Sequence, residues 1–227
     1  EEDIPKKSVD VEIAIRLKEK NLAFKVEKYS HSYPHFWRTD KPVLYYPMES
    51  WFIKVSELTD RMFNLNKDIN WKPSSTGEGR FGNWLKSAND WNLSRSRFWG
   101  VPLPIWVNEE NSEYKIVGSV EELVNEINIS IKKGYMKSNP FANFEVGNMS
   151  EENYNNIDLH KDVVDEIILS SKNGLPMKRE KDIIDVWFES GSMPYAQIHY
   201  PFENKDLIDK KTSFPADFIA EGVDQTR

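Results

Sequence analysis

The sequence predicts an α/β fold in which a parallel sheet is covered by helices, and three observations point there. The short apolar runs IIDVWF (183–188) and DFIA (217–220) have the length and character of strands buried on both faces, the usual state in such a sheet. Other segments carry apolar residues at helical spacing behind residues suited to cap a helix. The composition, 39% hydrophobic with 8 Trp and charges of both signs, belongs to a chain that folds. At 227 residues it has room for one large domain or two small ones.

The same composition excludes several classes. No apolar run approaches the ~20 residues that span a bilayer, and no signal-peptide pattern opens the chain. With no cysteine there is neither a disulfide nor a thiolate metal site, which fits a reducing compartment. A net charge of −7 argues against a surface that grips nucleic acid throughout, though a local basic path would be hidden in that sum. The chain opens at Glu1 without a methionine and ends at Arg227 inside an expected strand-to-helix junction, so it is expected to be a piece of a longer protein.

Taken in order, Ser8 or Asp10 caps an expected helix with Ile13, Ala14 and Leu17 on one face, ending near Asn21. AFKVEKY alternates as a half-buried strand does, and VLYY and WFIKV are further strand candidates. Ser56 is the expected cap of a helix whose Leu58, Met62 and Leu65 share a face. FGNWLKSA is a short helical pattern. In WNLSRSRFWGVPLPIWV the prolines Pro102 and Pro104 would confine the segment to an edge or an irregular strand. Ser119 and Glu122 form a capping box ahead of Val120, Leu123, Val124 and Ile127. The stretch 132–156, rich in Asn, Ser and Gly, offers the least pattern.

Ligands of open parallel sheets sit outside the carboxyl ends of the strands, so the polar residues there are the functional candidates. After the first run come Glu189, Ser190, Gly191 and Ser192; after the second come Glu221, Gly222, Asp224 and Gln225. Glycine lets the backbone turn and approach a ligand, and Asp224 is suited to cap a following helix. On composition alone the same residues serve equally as turns and caps.

HSYPHFWR, WFIKV, FGNWLKSANDWNLSRSRFWGVPLPIW, DVWFESGSMPYAQIHYPFENK and FPADFIAEGVDQTR stand in an order that resembles the isoleucyl-tRNA synthetases, in the eukaryotic cytoplasmic form. The resemblance covers about 31–227, with no placed motif between 132 and 178. It implies ATP-dependent activation of L-isoleucine to its adenylate and transfer to tRNA(Ile), with valine proofreading in the full-length protein. It further implies a Rossmann-type parallel sheet interrupted by α+β connective insertions, in a cytoplasmic protein. By position, residues 1–30 would be the exit segment of the editing insertion and 31–107 connective modules with the SRSRFWG segment. Residues 108–180 would be a variable insertion, and 181–227 the second half of the Rossmann-type domain, truncated.

Site roles follow from the same resemblance. Trp187 looks like the indole wall against which the isoleucine side chain packs, although the residue pattern alone reads it as a core tryptophan. Glu221, Gly222, Asp224 and Gln225 resemble the adenylate-binding turn. Arg95 and Arg97 face the tRNA acceptor end or serve as structural ion-pair partners. The partners implied are tRNA(Ile), L-isoleucine and ATP with Mg2+, a multi-synthetase assembly also being compatible, and no membrane. No zinc site is expected, since Pro34 between His31 and His35 breaks the helical two-His pattern and no cysteine supplies the rest. The family's His-Ile-Gly-His-like and Lys-Met-Ser-Lys-Ser-like motifs do not occur in the 227 residues, so the chain alone is expected to be inactive. Two alternatives stand beside this reading: a valyl-tRNA synthetase, and a non-catalytic RNA-binding module derived from a synthetase.

Overall fold

Contacts in the computed structural model, which describes residues 8–222 and 225, divide the chain into two units, Glu1–Met48 and Glu49–Arg227.

The first unit contains α1 (Val9–Glu19); Ser8 has the extended backbone of a cap but its side chain makes no capping bond, Asp10 lies within the first turn, and Ile13 and Leu17 are exposed. Asp10 and Glu12 in its first turn and Arg16 and Lys18 in its last complement the helix dipole. A two-stranded antiparallel hairpin follows, β1 (His35–Phe36) with β2 (Lys41–Pro42). The strands expected at AFKVEKY and VLYY are absent. Neither segment belongs to a strand or pairs with one among the described residues, and Phe24 and Leu44 are exposed. Alternation supplies a face, but a strand needs a partner for its amides.

In the second unit β3 (Phe52–Ile53) realises WFIKV as a short strand, later paired with β4 (Trp91–Asn92). Between them a 3-10 turn (Val55–Leu58) leads into α2 (Thr59–Asn66), a π-helical turn (Thr76–Phe81) and α3 (Gly82–Lys86). Ser56 does not cap a helix here, because its hydroxyl and its amide are both taken by Asp90. Leu58 and Leu65 are exposed. The buried residue of α2 is Asn66, whose side chain donates to the Gly77 carbonyl at 3.0 Å and accepts from Trp71 Nε1 at 2.8 Å.

After β5 (Ser94–Arg95) comes the main core. β6 (Ile105–Val107), β7 (Tyr114–Ile116), β8 (Ile168–Ser170) and β9 (Pro176–Arg179) form an antiparallel sheet in the order β7-β6-β9-β8. β6 is therefore an interior strand, contrary to what Pro102 and Pro104 imply. Both prolines lie before its first residue, so neither removes an amide from the ladder. α4 (Val120–Lys132) packs its Leu123 and Ile127 against this sheet, with Trp106, Phe141, Ile167, Leu169 and Met177 around them. The capping signal is realised: Ser119 Oγ accepts from the Glu122 amide at 3.1 Å, and Glu122 Oε2 accepts from the Gly118 amide at 2.8 Å. Phe141, in the segment of weakest pattern, belongs to the core, as does Val164 of α6 (Lys161–Val164), which follows α5 (Glu151–Tyr154).

The two apolar runs do not become buried parallel strands. Only Ile183 and Ile184 form a strand, β10, which pairs antiparallel with β5. The chain then turns into α7 (Val186–Ala196), with α8 (Lys205–Asp209) beyond. DFIA forms no strand, and Phe218 is 84% exposed. The physical reason in the first run is Asp185, whose carboxylate caps a helix in the middle of the apolar stretch. The fold is a mixture of helices and small sheets, and every strand pairing among the described residues is antiparallel. No helix among them is long and apolar enough to cross a membrane.

Candidate functional site

The β5–β10 pairing sets Ile183 opposite Arg95 and Ile184 opposite Ser94, which brings SRSRFWG beside DIIDVWF. Gly100 is needed at this crossing. Its φ is +150°, and a Cβ there would lie 2.4 Å from Ile183 Cδ1. At the end of β10, the Asp185 amide donates to the Leu93 carbonyl at 2.8 Å.

Asp185 is 4% exposed and its carboxylate is fully engaged. Oδ2 accepts from Arg95 Nη2 at 2.5 Å and from Trp91 Nε1 at 3.1 Å, while Oδ1 accepts from the Trp187 amide at 3.2 Å. A buried carboxylate is tolerated only when paired and hydrogen-bonded, and both conditions hold here. The anion also sits at the start of α7, where the helix dipole favours it. Arg95 gives two further bonds to the Asn92 and Ser94 carbonyls, at 2.8 and 2.9 Å. Nearby, the Trp51 amide donates to Ser94 Oγ at 3.0 Å and its Nε1 to Glu180 Oε2 at 3.1 Å.

Trp187 therefore lies in the first turn of a helix and not at the end of a buried strand, and it is 59% exposed. It presents a broad apolar surface at low conformational cost, suited to an aliphatic ligand. Glu189, Ser190, Gly191 and Ser192 continue along α7, and Ser192 Oγ bonds back to the Glu189 carbonyl at 2.8 Å.

Glu221 and Gly222 are exposed, and the Gln225 amide donates to the Gly222 carbonyl at 2.9 Å. Asp224 lies outside the described residues. Among the described residues no hydrogen bond, ion pair or ring contact joins Glu221 or Gly222 to Trp187 or Arg95. Arg97 is exposed, and its side chain has no ion-pair partner among the described residues. His31 and His35 direct their Nδ1 atoms to the Ser32 and Tyr33 carbonyls, at 2.8 and 2.9 Å.

Two features escape sequence reasoning. Asp185 is hidden inside an apolar run and reads there as an interruption. The other is an open cavity of about 390 Å³ lined by Phe98, Trp99, Gly100, Asp158, His160 and Lys161 with neighbouring aspartates. There the Trp99 ring stacks on His160, centroids 5.9 Å apart. The His160 amide, and then its ring, hydrogen-bond to Asp158 and hold that carboxyl below the usual carboxylate range. Asp158 and His160 lie in a stretch without a recognisable motif, so no signal pointed to them.

The chain is 65% identical over 222 residues to a protein of Bacteroides fragilis named isoleucine–tRNA ligase, a match covering 97% of the chain and 20% of that protein. Proteins of the same name from Bacteroides thetaiotaomicron and Porphyromonas gingivalis are 61% and 59% identical, again over 97% of the chain and 19% of each relative. The chain thus spans about a fifth of the length of the curated relatives it matches. These relatives are bacterial, whereas the motifs had suggested the eukaryotic cytoplasmic form. The family model described as tRNA synthetases class I (I, L, M and V) matches residues 6–227, and the chain belongs to that family.

Proposed function

We propose that the chain is a segment of an isoleucine–tRNA ligase, which activates L-isoleucine with ATP and transfers it to tRNA(Ile). The observation that carries this reading is the 65% identity to a relative of that name across nearly the whole chain. The half-exposed indole of Trp187, held at the start of α7, is consistent with a wall for a branched aliphatic side chain.

In this reading isoleucine packs on Trp187, and the adenylate is held by the turn containing Glu221, Gly222, Asp224 and Gln225. The Glu221 carboxylate accepts from ribose hydroxyls; it would repel a phosphate, so the ribose is its partner. Arg97, exposed and cationic, is suited to an RNA phosphate. Mg2+ would accompany ATP. Among the described residues no group of three or more His, Cys, Asp or Glu is placed to hold a metal ion, and no residue of this chain is assigned to it. A Rossmann-type sheet completed by residues beyond this segment, valine proofreading and a cytoplasmic location belong to the same reading. The bacterial relatives give no support to the eukaryotic form or to a multi-synthetase assembly.

The test is amino-acid-dependent ATP–pyrophosphate exchange by the full-length protein with isoleucine, valine, leucine and methionine, followed by charging of tRNA(Ile). Isoleucine should give the highest kcat/KM. Activation of valine with exclusion of isoleucine would make the protein a valyl enzyme, and exchange with none of the four would leave the non-catalytic RNA-binding module.

A further inference from the structure

We infer that Asp185, with Arg95 and Trp91 as its donors, is the positioning residue that fixes Trp187 toward the amino-acid side chain, so that Arg95 serves amino-acid selection and not RNA binding. The inference rests on the reading of Trp187 as a pocket wall.

An aspartate that only caps a helix uses one oxygen on a helix amide and leaves the other to water. Asp185 is different. One oxygen takes the Trp187 amide, and the other takes a guanidinium from β5 and an indole from β4. Its own amide is tied to Leu93. The first turn of α7 is thereby fixed to β4 and β5 at several points. On the following residue, Phe188 sets its ring 6.2 Å from that of Trp91.

Trp187 depends on this arrangement. Among the described residues its side chain has no hydrogen bond and no ring contact, and no residue of α7 is buried. The place of the indole is set by where the helix starts and how it is rotated, and those are set by Asp185. Removing the cation or the acceptor would leave a buried polar group unpaired, which the chain relieves by moving the start of α7.

The charges tell Arg95 and Arg97 apart. Arg95 directs its guanidinium to Asp185 and to two backbone carbonyls, which commits three of its five N–H groups within the protein. Arg97 makes no such bonds.

The experiment uses the full-length protein and measures KM for isoleucine and ATP in pyrophosphate exchange and KM for tRNA in charging. Asp185→Asn preserves shape and removes charge; Arg95→Met removes the cation; Arg95→Lys restores a cation without the fork. The expected result is a rise of about tenfold or more in isoleucine KM for the first two, with ATP and tRNA KM moving by less than about twofold. The double variant should be no worse than the weaker single one, and Arg95→Lys should recover part of the loss. An isoleucine KM within about twofold of the parent in both variants, or a main effect on tRNA KM, would overturn the inference while leaving the synthetase reading standing. Equal losses for all three substrates would reduce Asp185 to a stability residue and overturn it as well. Absence of isoleucine-dependent exchange in the parent protein would overturn the underlying reading, and this inference with it. Should Asp185→Asn fail to fold, the two Arg95 variants decide the matter.

Discussion

Ser56 binds the Asp90 carboxylate twice, through its hydroxyl at 2.6 Å and its amide at 3.0 Å, across 34 residues of chain. The hydroxyl first, and the amide second, hold the Asp90 carboxyl below its ordinary range. A carboxyl depressed in the folded state stabilises it above the unfolded pKa, near ~3.9, and that contribution is lost as pH falls through the folded value. Ser56→Ala should therefore raise the Asp90 pKa toward the ordinary value, as followed by NMR titration of its side-chain carboxyl. An unchanged titration would show that the amide alone sets it.

The Trp106 indole donates to the Ile167 carbonyl at 2.8 Å, and both residues are buried. Trp106→Phe leaves that carbonyl without a partner in the core, and should cost about 1–3 kcal/mol. The readout is the shift in the urea midpoint at constant slope. A loss below a few tenths of a kcal/mol would mean that water reaches the carbonyl.

At Gly77 an added Cβ would lie 2.1 Å from Trp71 Cδ1, against a ring whose Nε1 is held by Asn66. Gly77→Ala should destabilise by about 1–3 kcal/mol through overpacking. Gly79, two residues on in the same turn, has open space where a Cβ would go, so Gly79→Ala should be neutral or stabilising. The difference between the two thermal midpoints separates packing from backbone entropy.

Trp187→Ala in the full-length protein should weaken isoleucine use by roughly 3 kcal/mol, with the loss carried mainly by isoleucine KM, because packing on a side chain already present in the ground state is uniform binding. Isoleucine-dependent exchange is the readout. An unchanged kcat/KM would remove Trp187 from the pocket.

What the sequence made legible was local. The α4 helix with its Ser119 cap follows from spacing and capping chemistry that act within a few residues, whereas α1 and the helix in FGNWLKSA follow from local spacing with no capping side-chain bond. Strand partners were less legible, because pairing depends on what another part of the chain presents. AFKVEKY has the right alternation and no ladder. The one-residue interruption at Asp185 outweighs five apolar neighbours, since a buried carboxylate with three donors fixes a helix start where hydrophobicity alone suggests a continuing strand. Trp187 was identified as a candidate through its motif. Its mode of support was not visible, because Trp91 and Arg95 reach the neighbouring Asp185 from 94 and 90 residues earlier in the chain. The Trp99–His160 cavity was missed because Asp158 and His160 lie in a stretch without a motif.

The sheet order β7-β6-β9-β8 also bears on how the chain leaves the ribosome. Trp106 emerges early, yet its hydrogen-bond acceptor, Ile167, follows 61 residues later, and the neighbouring strand β9 later still. Until those residues are made, α4 and the β6–β7 hairpin exist without the half of the sheet that carries Leu169 and Met177. At synthesis rates of about 5–20 residues per second, the interval during which this apolar surface stays open lasts several seconds, long compared with hairpin closure and ample for a holding chaperone to bind.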